Sequence, residues 1–146
     1  MNEPHNVNII MVEDDGGHAR LIEKNIRRAG ISNALRHFAD GTSAVDYLFN
    51  HEDGPMHSGP ALVLLDLNLP DMSGLDILVK IKSHDKLRRT PVVVLTTTDD
   101  KVEIDRCYDM GANAYITKPV NYASFADAIR QLGLFLSVIQ VPETEH

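Results

Sequence analysis

Residues 61–74 read Ala61-Leu62-Val63-Leu64-Leu65-Asp66-Leu67-Asn68-Leu69-Pro70-Asp71-Met72-Ser73-Gly74. An unbroken apolar run of this length, closed by turn-forming residues, marks a strand buried on both faces, as in parallel sheets covered by helices. Asp66 then stands at the C-terminal end of that strand, and the residues after it form a loop leading into a helix. In open α/β sheets, ligands bind in the crevice beyond the carboxyl ends of the strands. An acid placed there is costly to bury unless something pairs with it. The partners of Asp66 therefore decide what the chain does.

Outward from this stretch, strand-like runs alternate with helical patterns. Residues 7–12 read as a first strand. Residues 17–29, with apolar Leu21, Ile22 and Ile26, read as a helix stopped by Gly30. A weaker strand over 34–38 precedes a short helix over about 43–50, and 51–60 holds two Gly and two Pro and reads as a loop. The strand ending at Asp66 is followed by a helix over about 74–83, with Leu75, Leu78, Val79 and Ile81 expected to face inward. Residues 91–96 form the next buried strand, opened by Pro91 where no ladder donor is lost. Asp99 or Asp100 is placed to cap a helix that runs to Met110 and stops at Gly111. Residues 112–116 read as a short strand, and Asn121 can cap a final helix. Five such βα units imply a parallel sheet with helices on both faces.

The length of 146 residues suits one domain with a single substantial core, and 43% hydrophobic with 24% charged residues is ordinary for a soluble globular protein. A net charge of −7 argues against a nucleic-acid-binding face, which would be basic. The cluster Lys86, Arg88, Arg89 reads as a solvated loop. One cysteine, Cys107, rules out an internal disulfide, suits a reducing cytosol and reads as a small packed side chain. No apolar segment approaches the roughly 20 residues of a membrane span, and residues 1–6 lack signal-peptide character. A cytoplasmic location is expected.

The C-terminal ends of the strands collect a distinctive set: Glu13-Asp14-Asp15, Asp66, Thr96-Thr97 and Lys118-Pro119. Acids gathered beside Asp66 repel one another unless a cation sits among them. Oxygen-only ligands with room for water suit Mg²⁺, which binds through one or two carboxylates and phosphate oxygens. Asp66 is then both a metal ligand and a candidate nucleophile, because carboxylates can form aspartyl phosphates. The Thr96 hydroxyl and the Lys118 ammonium suit phosphoryl oxygens. Each residue alone has a plainer reading. Glu13, Asp14 and Asp15 could be an acidic cluster favoured by a helix N-terminus, and Asp15 is expected to act only as a cap or an outer group. Lys118 could be a solvated lysine, and Tyr115 a half-buried strand aromatic. The seven histidines, at 5, 18, 37, 51, 57, 84 and 146, show no ligand spacing and are expected at the surface.

Glu13-Asp14, Asp66 with Pro70 and Gly74 at +4 and +8, Thr96 and Lys118-Pro119 together resemble the receiver domain of two-component response regulators, over about 7–135. The resemblance implies a flavodoxin-like (βα)5 fold, strand order 2-1-3-4-5, as a single domain over 1–146 with no output domain. It implies that a histidine kinase phosphorylates Asp66 and that Asp14 binds Mg²⁺ directly, Glu13 mainly through water, and Asn68 through its backbone carbonyl. Lys118, before a cis bond to Pro119, would bind the phosphoryl group. Thr96 and Tyr115 match the switch pair, and Asn68 and Thr98 match positions that tune hydrolysis. The motif MVEDD, the long loop before the third strand, DLNLP, VVVLTTT and LFLSVIQVP are similar to the stand-alone regulators that partner bacterial phytochromes. Phe135 departs from that group, which often carries Trp there.

Two other classes share parts of this pattern. A Mg²⁺-dependent phosphohydrolase of the haloacid dehalogenase type also places an Asp after a buried strand, but wants a second acid where this chain has Asn68. A flavin carrier would need a Ser, Thr and Gly-rich loop after the first strand, where this chain is acidic. In the last helix Phe125, Ile129, Leu132, Leu136 and Ile139 form one apolar stripe, with Leu134, Phe135 and Val138 beside it. Apolar surface beyond what the core needs points to a homodimer through this segment.

Overall fold

The structure, a computed structural model, describes residues 7–52, 54–55 and 60–131, without the side chains of Ile129 and Gln131. The elements in order are β1 (Asn8–Val12), α1 (Gly16–Arg28), β2 (Leu35–Phe38), α2 (Gly41–Phe49), β3 (Ala61–Asp66), α3 (Gly74–Lys82), β4 (Val92–Thr96), α4 (Lys101–Asp109), β5 (Ala114–Thr117) and α5 (Tyr122–Gln131). All strand pairs are parallel, and the sheet order is β2-β1-β3-β4-β5, the flavodoxin-like order expected from the sequence.

Alternation along the strands divides the core into two layers. Ile9, Met11, Leu62, Leu64, Val93 and Leu95 face α1 and α5, where Ile22, Ile26 and Phe125 close the layer. Ile10, Val12, Val63, Leu65, Val92 and Val94 face α2, α3 and α4, meeting Leu48, Ile77, Leu78, Ile81 and Cys107. Every residue of β3 and β4 is buried, which is why their sequences run apolar without alternation. β2, at one edge of the sheet, is only half-buried, in keeping with its weaker pattern.

Helix boundaries follow local chemistry. Asp15 accepts from the His18 N–H, Ser73 from Leu75 and Asp100 from Val102, each capping the helix that follows. Gly30 and Gly111 follow α1 and α4 with φ of 87° and 107°, the left-handed geometry that ends a helix. α2 begins at Gly41, earlier than expected. Asp40 accepts from Ser43, and Asp71, from a distant loop, accepts from Gly41 and Thr42. β5 begins later than expected, because the Asn113 side chain takes the Val92 N–H and its own N–H goes to the Val92 carbonyl.

One inward-facing residue is corrected. Val79 is 42% exposed, whereas Ile77 is buried with Gly74, Leu78 and Ile81. Those four fall at i, i+3, i+4 and i+7, so they form the stripe that α3 lays on the sheet, and Val79 lies outside it. Leu75 is half-buried. In α5, Phe125 and Ala128 are buried. The rest of the expected apolar stripe, from Leu132 onward, and with it the homodimer segment, lies outside the described residues, as does the Ile129 side chain.

Candidate functional site

Strand register brings the site together. Val12 pairs with Leu65, Asp66 with Leu95, and Thr96 with Thr117, so the residues at or just after these positions share one edge of the sheet. Glu13 and Asp14 follow β1, Asp66 ends β3, Thr96 ends β4 and Lys118 follows β5. Carboxylate oxygens of Glu13, Asp14 and Asp66 lie within 4.8 Å of one another. Glu13 is 0% exposed and Asp66 3%, while Asp14 is open to solvent.

Among the described residues, one lysine stands against the two buried acids. Lys118 Nζ lies 2.6 Å from Glu13 Oε1 and 2.9 Å from Asp66 Oδ2, with the lysine side chain 7% exposed. The contact to Asp66 is an aligned hydrogen bond. The contact to Glu13 is the shorter of the two, so the ammonium is held between both carboxylates. Burial pushes the Glu13 carboxyl above its ordinary pKa, and the Asp66 charge adds to this against the opposing pull of Lys118 and the Asp15 N–H. Burial would lower Lys118, but hydrogen bonds and charge from Glu13 and Asp66 outweigh it and raise the ammonium above its ordinary value. Among the described residues negative charge exceeds positive in this pocket, and the three carboxylates offer only oxygen. The residues present therefore fit a divalent cation.

The remaining side chains are oriented by the backbone. The Asn68 N–H donates to Asp66 Oδ1 at 3.0 Å, and the loop after Asp66 closes through a bridge between Asn68 and Ser73 and a Gly74 N–H bond to the Leu67 carbonyl. A Cβ on Gly74 would stand 2.7 Å from Leu67 Cα and closer still to the Asp66 carbonyl oxygen, so the +8 position admits only glycine without a shift of the β3 end. Thr96 is 3% exposed, and its hydroxyl accepts the Thr98 N–H at 3.1 Å. The Lys118-Pro119 bond is cis. Tyr115 does not join the acids: it pairs with Val94, below the level of Thr96, and its ring meets Tyr108 edge-on at 5.8 Å.

Some contributors were not legible in the sequence. His37 Nε2 donates to the Glu13 carbonyl at 2.6 Å, and His18 Nδ1 lies 3.9 Å from Glu13 Oε2; both histidines are exposed, as expected, yet both touch the site. Asn25, buried on α1, donates from Nδ2 to the Val120 carbonyl at 2.9 Å and so holds the loop that carries Lys118. No local signal marks these residues, because their partners come from other elements.

A family model described as the response regulator receiver domain matches residues 9–130. The chain belongs to this family. A response regulator receiver domain from Rhodospirillum rubrum is 65% identical, with a TM-score of 0.75, covering 96% of this chain and 100% of that one. The bacteriophytochrome response regulator RtBRR is 37% identical, with a TM-score of 0.81, covering 94% and 84%. Response regulator Rcp1 from Synechocystis is 32% identical over 135 residues, covering 92% of each chain. The Mn(2+)-bound form of Rcp1 has a TM-score of 0.73 at 31% identity, covering 94% of this chain and 99% of that one. Receivers are signalling switches that partner histidine kinases, and the pocket of Glu13, Asp14 and Asp66 fits the phosphorylation site of one. The haloacid dehalogenase alternative finds no support: Asn68 stands where that chemistry needs an acid, and the family match spans nearly the whole chain. Among the described residues no helix is long and apolar enough to cross a membrane.

Proposed function

We propose that Asp66 is the phosphoacceptor of this receiver, and that a histidine kinase phosphorylates it with Mg²⁺ as the cation. The observation that carries the reading is the pairing of Asp66. It is buried at the end of a strand, with Oδ1 held by the Asn68 N–H and Oδ2 by Lys118. In the transfer, a carboxylate oxygen of Asp66 bonds the phosphorus as the phosphorus–nitrogen bond to the kinase histidine breaks, and that electron pair returns to the imidazole. Asp14, Asp66 and the Asn68 carbonyl would hold the cation, with Glu13 beside them. When bound, the cation sets positive charge against the phosphoryl oxygens.

Lys118 then shifts its ammonium from the two carboxylates toward the phosphoryl oxygens, and the Thr96 hydroxyl turns to the same group. That movement frees space for Tyr115 to turn inward, which biases the surface around α4 and β5. Asn68 and Thr98, flanking the site, tune hydrolysis of the acyl phosphate, and the role is signalling rather than metabolic turnover. A phytochrome-type kinase is the proposed donor, supported by similarity to RtBRR, named a bacteriophytochrome response regulator. The protein is proposed to act in the cytoplasm as a single receiver, and as a homodimer through its apolar C-terminal segment. Sedimentation as a monomer at micromolar concentration, phosphorylated or not, would remove the dimer.

The central test is incubation with a small phosphodonor and Mg²⁺. The parent protein gains a single phosphoryl group, detected by mass, and Asp66→Asn gains none. Equal labelling of the Asn variant overturns the assignment of Asp66.

A further inference from the structure

The loop that carries the Asn68 carbonyl leaves β3 at Asp66 and returns at Gly74, and its tip does not hang free. Both carboxylate oxygens of Asp71 are taken by the start of α2. Oδ1 accepts the Gly41 N–H at 2.8 Å, and Oδ2 accepts the Thr42 N–H at 2.8 Å and the Thr42 hydroxyl. These three hydrogen bonds hold the Asp71 carboxyl down to a pKa of about 2, led by the Thr42 hydroxyl, so it is ionised at any ordinary pH. Beside it, Met72 lies against Gly41 so closely that a Cβ there would meet its Sδ at 2.8 Å.

The start of α2 is itself tied to the other half of the acidic pocket. The Glu13 N–H donates to the Phe38 carbonyl at 3.0 Å and His37 bonds the Glu13 carbonyl, both on β2, and the chain reaches Asp40 and Gly41 two or three residues after Phe38. The acids after β1 and the carbonyl after β3 are thus joined through one short bridge, closed by Asp71. Asp40 already caps α2 through the Ser43 N–H at 2.7 Å, so helix capping alone does not require a second carboxylate from a distant loop.

We propose that Asp71 is a positioning residue for the cation site: by anchoring the tip of the 67–73 loop to Gly41 and Thr42, it sets the distance between the Asn68 carbonyl and the Glu13–Asp14 pair. The proposal rests on the reading that these groups hold the divalent cation. Outer groups that orient metal ligands are worth about 10- to 100-fold in affinity.

The test is Mg²⁺ titration by calorimetry on the full chain, alongside urea unfolding without metal, for the parent, Asp71→Ala, Thr42→Val and Asp40→Ala. The expected result is Mg²⁺ binding weakened about 10-fold or more in Asp71→Ala and by a smaller factor in Thr42→Val. Asp71→Asn, which keeps an acceptor oxygen, recovers part of the loss. Asp40→Ala lowers the urea midpoint but keeps the parent affinity. If Asp71→Ala does not fold, Thr42→Val alone decides by the same comparison with Asp40→Ala. Parent-like affinity in Asp71→Ala, or an equal loss in Asp40→Ala, overturns the positioning role while the site reading stands. A parent that binds no Mg²⁺ overturns the site reading and the proposal with it.

Discussion

Replacing Lys118 by methionine removes the ammonium that, among the described residues, faces Glu13 and Asp66, at nearly unchanged volume. The side chains of Lys118, Glu13 and Asp66 are 7%, 0% and 4% exposed, so water cannot replace the lost charge. Two buried carboxylates, Glu13 and Asp66, whose oxygens approach within 4.8 Å, would remain beside the exposed Asp14. At an effective dielectric constant of about 20, their repulsion at that distance is roughly 3.5 kcal/mol. Deleting one partner of a buried pair costs about 3–5 kcal/mol for the same reason. The apo variant is therefore expected to lose about 3–5 kcal/mol of unfolding free energy at about pH 8.

The sign of the pH dependence follows from Glu13. Its carboxyl is already raised by burial, and Lys118 is one of the groups holding it down. Without Lys118 it rises further, so the folded state keeps a proton that the unfolded chain releases above the ordinary value of 4.5. Stability in the variant is then retained below that value and lost as pH rises through the folded pKa. Mg²⁺ restores positive charge to the pocket and should stabilise the variant more than the parent. Urea unfolding on either side of that window, with and without Mg²⁺, checks each point. A loss under about 1 kcal/mol at about pH 8, or a penalty that acidification does not reduce, would refute the reasoning.

Two further outcomes are expected. Gly74→Ala places a Cβ against the Asp66 carbonyl and Leu67 Cα, which are backbone and cannot swing aside; it should cost about 1–3 kcal/mol by urea unfolding and weaken Mg²⁺ binding, whereas parent-like values for both would show that the β3 end yields freely. In the parent, Mg²⁺ binding should release protons in mildly acidic solution, because Glu13 holds its proton above the ordinary carboxylate range and must lose it to face a cation; calorimetry in buffers of different ionisation enthalpy measures the release, and Glu13→Gln should reduce it.

How much of this was legible in the chain depends on how local each feature is. Asp66 and Thr96 could be placed at strand ends because a strand buried on both faces writes itself as an apolar run, and the residue that breaks the run is visible, whereas Lys118 follows the short, part-exposed strand β5. Asp15, Ser73 and Asp100 reach donors within three residues, so their caps lie within a single turn of chain. Val79 was misplaced because apolar spacing in a nine-residue helix leaves the angular phase of its stripe open, and only packing on the sheet chose Ile77 instead. That Lys118 bridges Glu13 and Asp66 follows from strand order, which no local pattern carries.

The sequence by itself determined the strand-and-helix alternation, the acids and the lysine at the strand ends, and so the family and its chemistry. Tertiary structure alone decided that His37 of the edge strand bonds the Glu13 carbonyl, that Asn25 steadies the Lys118 loop across 95 residues, and that Asp71 closes the start of α2. The reason is physical. A buried strand and a helix cap are specified by neighbours along the chain, whereas a hydrogen bond between elements exists only once strand order and helix placement have put its donor and acceptor side by side.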